Sequence, residues 1–207
     1  MDAPGLAVYV AAALALIATP GQDMLYVVAR SLAQGRLAGV LSALGVCLGI
    51  LVHTGLAALG VGAILQASET LFTAVKLAGA AYLVYLGVRM LLARHPAAGV
   101  ATGGERRSHG ALVWQGLLSN VTNPKMMLFF FAFLPQFVDT ASAHPTRTLL
   151  ELGVLYALLA LPIKAGVGLA AGTLGRRLLR GAAAAWIGRV GGSVLVALGV
   201  RLAFSGR

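Results

Sequence analysis

The feature that most constrains this chain is a series of six apolar stretches, each long enough to cross a lipid bilayer. A transmembrane helix needs roughly 20 mostly apolar residues. The stretches cover residues 6–29, 37–65, 71–92, 111–138, 149–175 and 181–204, and short polar connections separate them at residues 30–36, 66–70, 139–148 and 176–180. The longest polar stretch, residues 93–110, divides three spans from three. We therefore predict an all-α membrane protein with six transmembrane helices.

The composition agrees with this prediction. Of the 207 residues, 59% are hydrophobic and only 11% are charged, against about 25% charged in an average soluble domain. This balance excludes a disordered chain and argues against a soluble globular one. We expect a single membrane domain over residues 1–207, with halves at 1–95 and 108–207 joined by a polar cytoplasmic loop at 93–110. Cys47 is the sole cysteine, which excludes an internal disulfide, and we predict no metal site.

The arginines predict the orientation in the membrane. Ten of the thirteen lie in or beside the connections after the first, third and fifth spans: Arg30, Arg36, Arg89, Arg94, Arg106, Arg107, Arg176, Arg177, Arg180 and Arg189. The positive-inside rule places these connections in the cytoplasm and both termini on the other side. The net charge of +10 is therefore interpreted as an orientation signal that contacts anionic lipid, and a nucleic-acid partner is not expected.

The two halves resemble each other in order. Residues 79–91 and 191–203 agree at seven of 13 positions with an offset of 112, and Pro20 and Pro124 interrupt the first and fourth spans with an offset of 104. A half with three spans must insert upside down relative to its partner. The pattern predicts a 3+3 inverted repeat, the design of secondary transporters, whose binding site lies between the repeats near the bilayer midplane.

Each internal proline is predicted to break its helix. Proline lacks an N–H and clashes with the carbonyl four residues earlier, and a carbonyl freed in hydrocarbon needs a new partner or a wet cavity. The break also exposes a helix N-terminus, which attracts anions such as a carboxylate. A plain kink is the alternative for either proline. Two breaks beside polar residues favour a substrate site, which we assign to Pro20, Gly21, Gln22, Asp23, Asn120, Asn123, Pro124 and Lys125.

Asp23 and Lys125 are charged residues inside apolar spans. A charged side chain at mid-bilayer costs at least about 2.5–3.5 kcal/mol, so such residues usually pair or line a cavity. We expect these two to serve each other or a zwitterionic ligand. The alternative for Asp23 is that its side chain reaches the cytoplasmic end of the span.

Two further ionisable residues lie on faces of small residues. His53 shares one helix face with Gly45, Gly49 and Ala57, and Lys164 shares another with Ala160, Gly168 and Gly172. Small residues at this spacing predict close helix packing. His53 and Lys164 differ by 111 positions, so they are candidates for symmetry mates. Histidine titrates near neutral pH. Two interpretations of His53 are therefore open: that it carries a coupling proton, or that it forms a hydrogen bond inside the bundle. Asp23, His53 and Lys164 are the candidates for proton coupling or for support of the site.

Four runs of the chain resemble the LysE/RhtB family of amino-acid exporters. They lie at residues 19–25 with 30–35, at 44–53, at 76–87, and at 120–125 with 133–137. The first reads Thr-Pro-Gly-Gln-Asp-Met-Leu and the last begins Asn-Val-Thr-Asn-Pro-Lys. Many members of the family carry Pro-Gly-Pro where this chain has Pro20-Gly21-Gln22, and asparagine is frequent where Asp23 stands.

The resemblance implies proton-driven export of amino acids or close derivatives from the cytoplasm across the bacterial plasma (inner) membrane. Its ligands would be an amino acid and protons, without a cofactor. One alternative is a rhomboid-like intramembrane serine protease, which needs a serine nucleophile and a histidine base, here Ser193 and His53. A passive channel is another. Whether the chain forms a homo-oligomer stays open, because faces of small residues can pack within one chain or between two chains.

Overall fold

The computed structural model describes residues 3–67, 69–92, 106–138, 144–174 and 182–204. These residues form eight α-helices: α1 (Ala3–Ala18), α2 (Gln22–Gln34), α3 (Arg36–Ala67), α4 (Glu69–Leu92), α5 (His109–Val121), α6 (Pro124–Leu128), α7 (Pro145–Leu174) and α8 (Ala182–Phe204). A π-helical turn at Phe129–Phe133 and a 3-10 turn at Leu134–Phe137 continue α6. No strand occurs in this described part of the chain, which confirms the all-α prediction.

Both predicted helix breaks are present. The axes of α1 and α2 differ by 47° across Pro20, and those of α5 and the segment from Pro124 to Phe137 differ by 54°. Gly21 lies in extended backbone before α2. At the second break, Pro124 occupies the first turn of α6, where its missing N–H costs no helical hydrogen bond. The plain-kink alternative is therefore wrong at both prolines.

Two helices are long and apolar enough to cross a membrane on their own, in the segments Arg36–Gly60 and Pro145–Thr173. Each bent pair also passes this test when it is taken as one span, which raises the number to four. Within the described residues, α4 and α8 contain shorter apolar segments, Leu77–Arg89 and Gly192–Arg201. Six spans and the orientation of the termini stay predictions.

The connection predicted at residues 30–36 is wrong in extent, because α2 continues to Gln34 and Gly35 alone separates it from α3. Gly35 has a φ of 89°, in the left-handed region that glycine adopts without strain, so one residue suffices to reverse the chain. The Ser31 hydroxyl donates a hydrogen bond to the Gly168 carbonyl and fixes the end of α2 against α7. The connection at 139–148 is also too long, since α7 begins at Pro145. Residues 68, 93–105, 139–143 and 176–180 of the predicted connections lie outside the described residues, as do residues 175 and 181 of the predicted fifth and sixth spans.

Helix α3 lies at the centre of the bundle, packed against α7, α5 and α2, while α4 packs mainly against α8. Glycines permit this close approach. A Cβ at Gly168 would lie 3.1 Å from the Gly39 Cα on α3, and one at Gly49 would lie 2.6 Å from the Asn120 Cβ on α5. The faces of small residues predicted to pack closely therefore do so, and they bring Asn120 and His53 to the same level of the bundle.

Packing between α4 and α8 repeats with the offset found in the sequence. A Cβ on Gly87 would lie 2.7 Å from the Val196 side chain, and one on Gly199 would lie 2.7 Å from the Val84 side chain. With the offset of 112, position 87 corresponds to 199 and position 84 to 196. Exchange of the two halves therefore turns the contact of Gly87 with Val196 into the contact of Gly199 with Val84. A two-fold relation between the halves requires such an exchange, whereas the inverted orientation of the repeat stays a prediction.

Candidate functional site

At the first break, Lys125 replaces the hydrogen-bond donor that Pro20 removes. Because proline has no N–H, the carbonyl four residues earlier, that of Leu16, loses its helical donor. The Lys125 ammonium donates to Leu16 O at 3.2 Å and to Thr19 O at 3.2 Å. An ammonium carries three donors, so one remains after these two bonds. Gly21 makes room for it, since a Cβ there would lie 3.0 Å from Lys125 Nζ.

At the second break, His53 takes the corresponding role. The carbonyl four residues before Pro124 is that of Asn120, which accepts from the Asn123 backbone N–H at 2.9 Å, and His53 Nε2 lies 3.1 Å from the same oxygen. A carbonyl only accepts, so Nε2 carries the hydrogen and donates. The Phe130 ring stacks on the imidazole with a centroid distance of 5.8 Å. His53 Nδ1 is buried without a hydrogen-bond partner among the described residues.

These two bonds connect the halves reciprocally. Leu16 and Asn120 differ by 104 positions, as the two prolines do. Lys125 of the second half donates to a carbonyl of the first half, and His53 of the first half donates to a carbonyl of the second. Each broken helix therefore accepts a side-chain hydrogen bond from the other half, so both breaks lie at contacts between the halves.

Between the breaks lies a buried polar cluster of Asp23, Asn120 and Lys164. Asn120 Nδ2 donates to Asp23 Oδ2 at 2.7 Å, and Lys164 Nζ lies 3.8 Å from the same oxygen. Asp23 is 2% exposed, Asn120 0% and Lys164 4%. Two acceptor atoms, Asp23 Oδ1 and Asn120 Oδ1, have no hydrogen-bond partner in the described structure. The cluster therefore presents two free oxygens on adjacent side chains.

Three features around Asp23 complement a carboxylate. It lies in the first turn of α2, where the helix dipole stabilises an anion. Asn120 supplies a hydrogen bond and Lys164 an opposite charge. Desolvation of an ion pair is expensive and frequently exceeds its Coulombic gain, so stability alone does not account for this pair. The alternative that Asp23 reaches the cytoplasmic end of its span is wrong, because its side chain is buried.

The remaining predicted site residues lie around the first break and beside α6. The Asn123 Oδ1 accepts from the Lys125 backbone N–H at 3.0 Å and caps α6, while its Nδ2 is buried without a partner in the described part of the chain. Pro20 and Gly21 are half-buried, whereas Gln22 and Pro124 are exposed. The structure thus brings Asp23 together with Asn120 and Lys164, and Lys125 together with Gly21. It leaves Gln22 and Pro124 on the outside.

Three contributors were absent from the predicted site. The backbone carbonyls of Leu16 and Thr19 accept from Lys125, and Phe130 covers His53. A signal for Leu16 was present in the sequence, because it precedes Pro20 by four residues and its carbonyl is the one that proline frees. No comparable signal identifies Phe130, which reaches His53 only through the packing of the π-helical turn on α3.

Comparison with known proteins places this geometry in a wider context. The model of the LysE type translocator family matches residues 14–206, which includes both breaks and the whole polar cluster. No solved structure shows significant similarity to the chain.

Individual relatives are bacterial membrane proteins. An uncharacterised membrane protein of Pseudomonas aeruginosa is 38% identical over 94% of this chain and 93% of its own length. A leucine efflux protein of Salmonella typhimurium is 34% identical over 66% of this chain and 64% of its own length. An uncharacterised membrane protein of Vibrio cholerae is 33% identical over 66% of both chains.

Proposed function

Because this chain belongs to the LysE type translocator family, we propose that it exports amino acids or close derivatives from the bacterial cytoplasm, driven by the proton gradient. Family membership and the apolar helices make it a membrane translocator. Relatives named leucine efflux proteins support an amino-acid substrate. The observation that carries the proposal is the buried cluster of Asp23, Asn120 and Lys164 between the two helix breaks.

The substrate's ammonium group fits the cluster by charge and by hydrogen bonding. Asp23 Oδ1 and Asn120 Oδ1 are buried acceptors without partners among the described residues. An ammonium has three donors and a positive charge, so it would satisfy both oxygens at once. This assigns the amino end of a zwitterion to the space beside Asp23.

The substrate's carboxylate has donors at the first break. The first N–H groups of a helix have no intrahelical acceptor, and those of α2 follow Gly21, which has no side chain to cap them. Lys125 Nζ lies beside Gly21 with one of its three donors unused by Leu16 and Thr19. Backbone N–H groups at a helix N-terminus and an ammonium together suit a carboxylate, so both ends of a zwitterion find partners within one turn of α2.

Transport requires this buried site to open first to one side and then to the other. Asp23, Asn120 and Lys164 are each at most 4% exposed, so helices must part before a substrate reaches them. In inverted-repeat transporters, alternating access comes from motion of one repeat against the other around a central site. The exchange of contacts between α4 and α8 supports this arrangement, and the arginine distribution supports both termini on the non-cytoplasmic side of the plasma membrane.

The enzyme alternative has little structural support. Ser193 is exposed on α8, which packs against α4 and α1, whereas His53 is buried on α3 with its Nε2 bound to Asn120 O. A nucleophile and its base need hydrogen-bond contact. The family and the efflux relatives indicate a transporter. A passive channel differs from this proposal in needing no gradient, and the experiment below separates the two.

The test is an efflux screen in bacterial cells loaded with dipeptides, with release of every standard amino acid followed over time. Wild type is expected to export at least one amino acid faster than empty vector, and a protonophore should abolish the difference. Asp23→Asn should lose this export, while Glu151→Gln keeps it. Glu151 is the matched control, because it is an exposed acid paired with Arg147.

Wild-type efflux equal to empty vector for every amino acid, with the protein present in the membrane, contradicts the proposal of export. Full export by Asp23→Asn contradicts the place assigned to the substrate's ammonium beside Asp23 and leaves export itself standing. Efflux that persists undiminished with the protonophore would instead indicate a channel.

A further inference from the structure

We propose that Lys164 carries the coupling proton, because its ammonium and the substrate's ammonium compete for Asp23. This inference rests on the proposed export function and names the group that couples it to protons. Three candidates for this task emerged from the sequence: Asp23, His53 and Lys164. Their positions around the cluster distinguish them.

The first step concerns the contact between Lys164 and Asp23. Lys164 Nζ lies 3.8 Å from Asp23 Oδ2, which is beyond hydrogen-bond distance. Both side chains are buried, with 4% of the Lys164 side chain and 3% of the Asp23 side chain exposed. The ammonium therefore compensates the charge of Asp23 without occupying its free oxygen. Asp23 Oδ1 remains available to a second cation.

The second step is the charge balance when that second cation arrives. A substrate ammonium at Asp23 Oδ1 would lie beside the Lys164 ammonium, with a single carboxylate between two positive charges. Charges interact far more strongly in a buried site than in water. The repulsion is relieved when Lys164 gives up its proton, and lysine is the basic side chain that does so readily when buried.

The complete step conserves protons and charge. On the cytoplasmic side, the zwitterionic substrate binds and the protonated Lys164 releases one proton to the cytoplasm, which leaves Lys164 neutral. On the outer side, the substrate leaves and the lone pair of Lys164 Nζ takes up a proton. Asp23 stays ionised throughout. Each cycle exports a substrate and imports a proton, so an inward proton gradient drives export.

The other titratable groups near Lys164 fit this role. Those coupled to it electrostatically are Asp23 from α2, Cys47 from α3 and Lys125 from α6. Lys125 is occupied by the carbonyls of Leu16 and Thr19, so it adds positive charge near Lys164 without offering an acceptor. Asp23 is the carboxylate that Lys164 contacts in the described structure, and a cation bound to Asp23 therefore acts directly on Lys164.

The two other candidates fit less well. Asp23 must stay ionised to attract an ammonium, and protonation would remove that attraction. His53 already donates through Nε2 to Asn120 O, and it stacks on Phe130. A second proton would go to Nδ1, where no hydrogen-bond acceptor contacts it in the described structure. Lys164 is the group whose charge the substrate's own ammonium can replace.

Purified full-length protein in proteoliposomes tests the inference. The vesicles are loaded with an equimolar mixture of the standard amino acids, and transport is measured by mass spectrometry with and without a pH gradient. Lys164→Arg keeps the positive charge permanently, because guanidinium does not deprotonate in proteins. The variant is expected to fold. Its initial rates of gradient-driven transport and of exchange should each be at least 10-fold lower than those of wild type.

Lys164→Gln removes the titrating group. It is expected to keep exchange of substrate across the membrane and to lose its response to the pH gradient. If this variant fails to fold because Asp23 is left without a countercharge, the Asp23→Asn/Lys164→Gln double variant shows whether folding returns, and Lys164→Arg still decides the proposal. Arg147→Gln is the matched control for loss of an exposed positive charge.

A second measurement follows the proton directly. Adding the same amino-acid mixture to wild-type protein in weakly buffered detergent should release about one proton per bound substrate, seen with a pH-sensitive dye, and neither Lys164 variant should release any. Proton release or gradient-driven transport at wild-type levels in Lys164→Arg would overturn this inference while leaving export intact. Wild type that transports no amino acid under any gradient would overturn the proposed function itself.

Discussion

At each of the two helix breaks, proline leaves one backbone carbonyl without the N–H that would normally donate to it. The breaks differ in the side chain that donates to this carbonyl instead. At the first break the donor is the flexible, charged Lys125, which serves two carbonyls. At the second it is the ring of His53, which serves one and is held by Phe130. The backbone problem is the same in both halves, and its two solutions are chemically unequal.

This difference indicates a division of labour. The first break has Asp23 in the turn that follows it and Lys125 beside Gly21, so the charges that suit a zwitterion gather there. The second break contributes Asn120 and a neutral cap. A repeated scaffold can thus supply two hinges while its charged groups are concentrated at one of them.

Replacement of Lys125 by methionine is the strongest test of this comparison. It would leave the carbonyls of Leu16 and Thr19 without their donor, and each buried unsatisfied group costs about 1–3 kcal/mol. We expect the free energy of unfolding to fall by roughly 2–6 kcal/mol, with loss of transport. Thermal unfolding of the purified protein in detergent measures this, and Lys125→Arg, which retains donors, is the control. A melting temperature unchanged by Lys125→Met would show that the cap does not stabilise the break.

Replacement of His53 tests the second cap and should have a smaller effect, because a single carbonyl is involved. The Asn120 carbonyl keeps its bond from the Asn123 backbone N–H, so His53→Leu is expected to cost about 0.5–1.5 kcal/mol, the net contribution of one hydrogen bond. His53→Gln should recover most of that loss, since its amide nitrogen can donate to Asn120 O. Thermal unfolding reports stability, and proteoliposome assays report coupling. Loss of gradient-driven transport in a stable His53→Gln variant would contradict a purely capping role for His53.

Alanine at Gly87 and at Gly199 tests whether the two halves are equivalent where they pack. Each added methyl group would lie within 3 Å of backbone and valine atoms of the facing helix. An overpacking cost of about 1–3 kcal/mol is partly offset by the better helix propensity of alanine, about 1 kcal/mol. We expect losses of roughly 0–2 kcal/mol that agree between the two variants. A large loss in one and none in the other would argue against the two-fold relation.

The smallest effect is expected at an ion pair outside the breaks. Arg147 and Glu151 form a contact of 2.8 Å, shorter than that between Lys164 and Asp23, but their side chains are 76% and 60% exposed. Exposed pairs contribute little because water screens them. Arg147→Gln should change stability by less than about 0.5 kcal/mol and leave transport intact. Impaired transport would show that the exposed arginine contributes to more than surface charge.

Much of the architecture was predictable because it depends on local chemistry. Apolar stretches of sufficient length predict helices in a membrane, and a proline inside one predicts a break whichever way the helix packs. The buried charges were also evident, since few charged residues lie inside the spans. The extent of α2 was harder to predict, because its end depends on the conformation of Gly35 and on the contact of Ser31 with α7.

The sequence alone thus determined the helices, the two breaks and the residues available to a site, because these follow from residue type and spacing along one chain. Only the tertiary structure decided the partners. Lys125 and Asp23 were expected to serve each other or a zwitterionic ligand. In the structure Lys125 caps α1, while Lys164, from a distant helix, lies beside Asp23. Pairing inside a bundle depends on which faces of separate helices meet and at what height. Local spacing does not encode that height, and packing at glycines such as Gly49 and Gly168 sets it.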